Sequence, residues 1–146
     1  MNAQTAESLL NLAEGATPQL RGLRARAVLG ELDQQYGNVL SALEWFLGHG
    51  LTDEAFRLAN SLVPFWMATA RLDEGCAWFA RVLALPGGDD ARRSRALYDH
   101  GYLIFWTGDD ERATALHRRA VELGRQTNDP TVVALALAGL ARVALR

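Results

Sequence analysis

Residues 97–123 read LYDHGYLIFWTGDDERATALHRRAVEL, and the fold follows from the order of large and small side chains along them. Leu97, Gly101, Ile104 and Phe105 recur at intervals of three and four, which is one face of a helix and excludes the period of two that a half-buried strand needs. Gly108 breaks that pattern. Asp109, Asp110 and Glu111 then supply the carboxylates that favour a helix start, and Ala113, Leu116, Ala120, Val121 and Leu123 carry a second apolar face. The stretch is two helices joined by a tight turn.

Laid against itself, the chain repeats this unit. Phe65 to Glu74 aligns with Tyr102 to Glu111 at an offset of 37, so that Asp73-Glu74 falls on Asp110-Glu111 and Cys76 on Ala113. Leu97 to Gly108 aligns with Leu135 to Arg146 at an offset of 38, pairing Gly101 with Gly139. A helix–turn–helix unit cannot bury its apolar face alone, so the repeat predicts stacked neighbours.

Proline and glycine punctuate the rest. Thr17-Pro18 is the sequence signature of an N-cap and first helical residue, which predicts a helix through Leu20, Leu23 and Val28. Leu32, Tyr36, Val39, Leu40, Leu43 and Phe46 continue at helical spacing as far as Gly48-His49-Gly50. Thr52 is expected to cap the next helix, and Pro64 to kink or split it near Ser61 by removing a hydrogen bond. Asp73 is expected to cap a shorter helix ending before Pro86, Asp89 or Asp90 to open the helix of the quoted stretch, and Thr127-Asn128-Asp129-Pro130 to start the last. Strand signals are nearly absent. The predicted class is all-α, with about six to seven helices in one domain over 1–146. It divides into N-terminal helices (1–50), a first repeat (51–88), a second (89–126) and a truncated third (127–146).

Residues 97–123 resemble a tetratricopeptide repeat. Gly101 stands where helix A of that repeat touches helix B, Gly108-Asp109 at the turn, and Ala113 and Ala120 at the close contacts of helix B. His117 departs from the pattern, which has a large hydrophobe there, and Pro64 stands where the first unit would carry a glycine. The resemblance implies a TPR-like superhelix of antiparallel hairpins, with Gly101 packed near Ala113. A wider resemblance runs from Glu31-Leu32-Asp33 through Asn38-Val39, Ala42-Leu43-Glu44-Trp45, Arg57-Leu58-Ala59, Phe65-Trp66 and Glu74-Gly75 to Trp78-Phe79. That order looks like the start of the repeat region in bacterial AfsR-type and LuxR-type signal-transduction ATPases. It implies a protein-interaction or sensor module of a cytoplasmic transcriptional regulator. The ATP-binding loop of those proteins has no counterpart here, because a phosphate-binding Gly-x-x-x-x-Gly-Lys-Ser/Thr needs a lysine and all fifteen basic residues are arginine.

Candidate chemistry is sparse. His49, His100 and His117 show no metal-ligand spacing, and Cys76 has no thiol partner, so it reads as a small buried hydrophobe. The paired acids sit at helix starts, where dipole and cap explain them, and no serine stands in a nucleophile setting. The expectation is no enzyme, no cofactor and no metal. The longest apolar run, Val132 to Ala141 broken by Gly139, is far short of the roughly 18 residues of a membrane span. With a net charge of −2 and arginines interleaved with acids, direct nucleic-acid binding is not expected either.

What remains is aromatic. In the tetratricopeptide register the concave side of the second unit presents Tyr98, Tyr102, Phe105 and Trp106, joined by Phe65 from the unit before. Residues at i, i+4, i+7 and i+8 share one helix face, so those four rings form one surface suited to a protein or peptide segment, or a small effector. Core packing between repeats is the competing reading for the same rings, and Trp45, Trp66 and Trp78 are assigned to the core. The last helix spreads Val132, Val133, Leu135, Leu137, Leu140, Val143 and Leu145 around its cylinder. Without a helix B after it, an apolar face is left for a longer chain or for a homodimer partner, and self-assembly with no ligand groove is the alternative function.

Overall fold

A computed structural model describes residues 1–146, and it is all-helical. Helix α1 spans Ala3–Ala16, α2 Ala25–Gly48, α3 Thr52–Ala68, α4 Leu72–Leu83, α5 Asp90–Thr107, α6 Asp110–Gln126 and α7 Pro130–Ala144. A 3-10 helix at Thr17–Arg21 links α1 to α2. Each α-helix packs on the next in the chain, and α1, α3, α5 and α7 also pack on one another in sequence. The odd-numbered helices therefore form one continuous row against which α2, α4 and α6 are laid.

Three of the turns share a mechanism. Gly50, Ala70 and Asn128 adopt left-handed φ, and the following N–H in each case reaches back five residues: Leu51 to the Phe46 carbonyl at 3.0 Å, Arg71 to Trp66 at 2.9 Å and Asp129 to Gly124 at 2.8 Å. This closure satisfies carbonyls that the helix end leaves open and reverses the chain within a few residues. Asp89, Asp109 and Asp129 cap α5, α6 and α7 by accepting from the N–H of Ala91, Arg112 and Val132. Hairpins with such short links are forced to be antiparallel neighbours.

Four local expectations are corrected. The helix predicted from Thr17 through Val28 is only the short 3-10 turn there. The Thr17 hydroxyl is occupied by the carbonyls of Ala13 (3.1 Å) and Ser61 (2.8 Å), and the long helix starts at Ala25. Pro64 does not split α3, which runs unbroken on a core lined by Phe56, Leu58, Leu62, Phe65 and Trp66. Burial on several sides outweighs the lost bond, and the Thr17 hydroxyl donates into the turn before the proline. Thr52 begins α3 without capping it, since its hydroxyl donates to the Pro86 carbonyl at 2.8 Å and ties the loop after α4. Asp73 lies in the first turn of α4, whose cap position is Arg71.

The core is continuous from α1 to α6 and is crossed by one buried polar chain. The Trp66 indole N–H donates to the Tyr36 hydroxyl at 2.7 Å, which donates to Glu74 at 2.6 Å. Burial, followed by the bond to Glu74, holds the Tyr36 phenol well above its ordinary pKa. Arg71 stacks over Tyr36 and Phe65 and pairs with Asp33, so α2, α3 and α4 are locked together by groups that lie far apart in the chain. Gly75 is obligatory beside that polar chain, because a Cβ there would stand 2.8 Å from both Trp66 and Leu103. Trp66 is fully buried, whereas Trp45 and Trp78 are half-buried at the edge.

Candidate functional site

Helix α5 lies in the middle of the odd-numbered row with α4 and α6 against it, and so most of its length is enclosed: Ala96 to Gly101 and Leu103 to Phe105 are all buried. The four predicted rings do touch in series. Tyr98 and Tyr102 stack at 6.1 Å between centroids, Tyr102 meets Trp106 edge to face at 6.2 Å, and Phe105 meets Trp106 at 5.0 Å. Their exposure divides them. Trp106 is 47% exposed and Tyr102 half-buried, but Tyr98 is 8%, Phe105 5% and Phe65 0% exposed.

The burial has identifiable causes. Phe65 packs against Tyr36 at 4.8 Å under the Arg71 guanidinium. Tyr98 lies against the His117 ring at 5.4 Å, and burial raises its phenol pKa. Phe105 is covered by the end of α7, with the Arg146 guanidinium 3.7 Å over its ring, a hydrogen bond from Arg146 to its carbonyl at 2.7 Å, and an ion pair from Arg146 to Asp110 at 2.9 Å. As surface groups, then, Phe65, Phe105 and Tyr98 are corrected to core, and Tyr102 and Trp106 remain available.

Arg142 of α7 completes this surface, its guanidinium 5.3 Å over Tyr102 and 5.7 Å over Phe105. One of its nitrogens is buried without a hydrogen-bond partner. The arrangement is an aromatic pair with a cation held on its face, suited to an apolar group bearing a polar or anionic end. Sequence reasoning missed Arg142. Its signal was a cation in an otherwise apolar terminal helix.

Three further places hold unusual groups. Asp99 is 2% exposed, held by Asn60 at 2.6 Å and by Arg95 at 3.1 Å, yet desolvation raises its pKa. Only the four-residue spacing of Arg95 and Asp99 hinted at it. His117, fully buried, fills a slot between α5 and α7: Cβ atoms at Gly101 and Gly139 would fall 2.9 Å and 2.5 Å from its ring. The side chains nearest the missing Cβ of Gly101 are His117 and Leu116. His100, 5% exposed, stacks instead with Phe79 of α4 at 6.1 Å, so the two histidines serve different interfaces. Burial drives both imidazoles down to a pKa of about 4, and neither has a hydrogen-bond partner. Cys76 is buried, and desolvation lifts its thiol to about 11, which leaves it protonated and inert near neutral pH. No group of three or more His, Cys, Asp or Glu side chains stands together as a metal site, and no helix is long and apolar enough to cross a membrane.

Comparison with known proteins gives a relationship to transcriptional regulators. The chain is 29% identical over 119 residues to a protein of Mycobacterium bovis and to two of Mycobacterium tuberculosis, all named as HTH-type transcriptional regulators. The match takes in 75% of this chain and 14% of theirs, so the chain spans about one seventh of the length of the curated relatives it matches. No protein-family model and no solved structure matches. The expectation that this chain makes no direct contact with nucleic acid does not stand beside relatives so named, and it is withdrawn.

Proposed function

We propose that this chain is a non-catalytic helical-repeat binding module of a bacterial transcriptional regulator, working in the cytoplasm. In this reading it docks a protein segment or small effector on the Tyr102–Trp106 surface of α5. The tetratricopeptide register and the likeness to AfsR-type and LuxR-type ATPases belong to the same proposal. They are supported by the row of odd-numbered helices and by relatives named as regulators. The carrying observation is Trp106, a large ring 47% exposed on the central helix, beside a half-buried tyrosine and a stacked arginine. Tryptophan, tyrosine and arginine are enriched among the residues that dominate binding energy at interfaces.

The test places a photo-crosslinking amino acid at position 106 in cells that express the protein natively, with the exposed positions of Arg92 and Glu122 as controls. Adducts specific to position 106, together with an altered transcript profile in Trp106→Ala, are expected. Equal labelling at all three positions with an unchanged transcript profile would reject the reading. Self-assembly is favoured by one observation, the exposure of Leu137 (44%) and Leu145 (88%) at the C-terminal end of the chain, and adducts between two copies of this chain would select it.

A further inference from the structure

A groove of about 410 Å³ runs between α4 and α6, away from the aromatic surface, with His100 of α5 at its floor. We propose that it is a binding site for a small organic anion, a carboxylate on a short hydrocarbon body, gripped by Arg112 and Arg119 above the His100 ring.

The floor is the unusual part. His100 is 5% exposed, and neither ring nitrogen has a partner, although a buried polar group left unpaired is destabilising. A phenylalanine would fill the same space against Phe79 without that penalty. Both nitrogens lie beneath the groove surface, so the ring senses charge placed there without touching it. Arg112 and Arg119 stand seven residues apart on α6, two turns on one face, and both line the groove. Arg119 has no carboxylate partner, and Arg112 has only Asp109 at 3.9 Å. Their charge reaches the floor, since after burial they are the causes that lower the His100 pKa.

The walls restrict the ligand. On the α4 side they are Ala80, Leu83 and Ala84, and the small alanines hold the groove open while offering no polar atom from a side chain. No acidic side chain lines it, so two guanidiniums meet an anion without competition from the protein's own carboxylates. Its volume lies in the range of small-molecule sites, where an apolar cavity with a few convergent polar groups sets orientation. Inorganic phosphate would satisfy the charges but leave the apolar walls wet. A carboxylate with a hydrocarbon tail satisfies both.

Nuclear magnetic resonance of the intact chain tests this, with hexanoate as ligand and hexylamine and inorganic phosphate as controls. His117 is an internal reference, buried in a different interface. Hexanoate should shift the His100 ring resonances saturably and raise the His100 pKa from about 4, while His117 stays unmoved. Arg112→Gln and Arg119→Gln, both at exposed positions, should each weaken binding about tenfold or more, as expected for a charged hydrogen bond. The proposal is overturned if His100 shows no saturable shift, if hexylamine or phosphate binds as tightly as hexanoate, or if the two arginine variants bind unchanged. Because Trp106 lies outside the groove, failure here leaves the crosslinking result at position 106 untouched, and the reverse holds.

Discussion

Replacing Gly139 by alanine should destabilise the protein, although alanine is the better helix former. Gly139 sits within α7, and the missing Cβ is where the His117 ring lies: an added carbon would be 2.5 Å from Nε2 and 2.7 Å from Cδ2 and Cε1. Comfortable carbon contacts are about 3.5–4.0 Å, so the ring would have to retreat by roughly 1 Å. Gly101 of α5 also lies close against the ring, its missing Cβ position only 2.9 Å from Cε1 and Nδ1, so room for that retreat is small. Overpacking of this kind costs about 1–3 kcal/mol, and the gain in helix propensity from glycine to alanine returns about 1 kcal/mol. The net expectation is a loss of about 1 kcal/mol, a fall of roughly 3 °C in Tm for a chain of this size. Gly37 in α2 is the matched control, with nothing within 4 Å of its added carbon and the same propensity gain. Gly37→Ala should therefore stabilise by about 0.5–1 kcal/mol, opposite in sign. Urea melts of both variants, and of Gly139→Ala combined with His117→Ala, form a double-mutant cycle. The combined variant should lose less than the sum of the two single changes by about 1 kcal/mol or more. If Gly139→Ala raised Tm as Gly37→Ala does, the packing of α7 on α6 would be wrong.

Two other outcomes rest on buried polar groups. His100 and His117 are held neutral with pKa values of about 4 against an ordinary 6.5. Their contribution is present above pH 6.5 and lost as pH falls towards 4, up to about 3 kcal/mol each, partly offset by Asp99, whose raised pKa favours the folded chain in acid. A urea midpoint that stayed flat from pH 7 to about pH 4.5 would refute this. Tyr36→Phe removes the acceptor of the Trp66 indole N–H and should cost about 1–3 kcal/mol; a change under about 0.5 kcal/mol in the same melts would show that the buried polar chain is not formed.

Helix periodicity, the carboxylate caps at Asp89, Asp109 and Asp129 and the repeat pairing Gly101 with Gly139 were all legible in residues 65–146, because each depends on neighbours within a turn or on the chain's likeness to itself. Helix α1 was not read from the sequence, since its buried stripe is only Ala6, Leu10 and Ala13 and two of those are alanine. The contiguity of Tyr98, Tyr102, Phe105 and Trp106 was also written in their spacing. Which of them meet solvent was not. That depends on where Arg146 and Arg142 come to rest, some forty residues further along the chain, and on Phe65 lying under Arg71. The same division holds for His117, whose departure from the repeat pattern is visible in the sequence but whose explanation needs two glycines on two other helices to face one ring. Periodicity specifies which face of a helix is apolar. Only the packing of the row, set by distances between residues far apart in the chain, decides whether that face is buried or left open to bind.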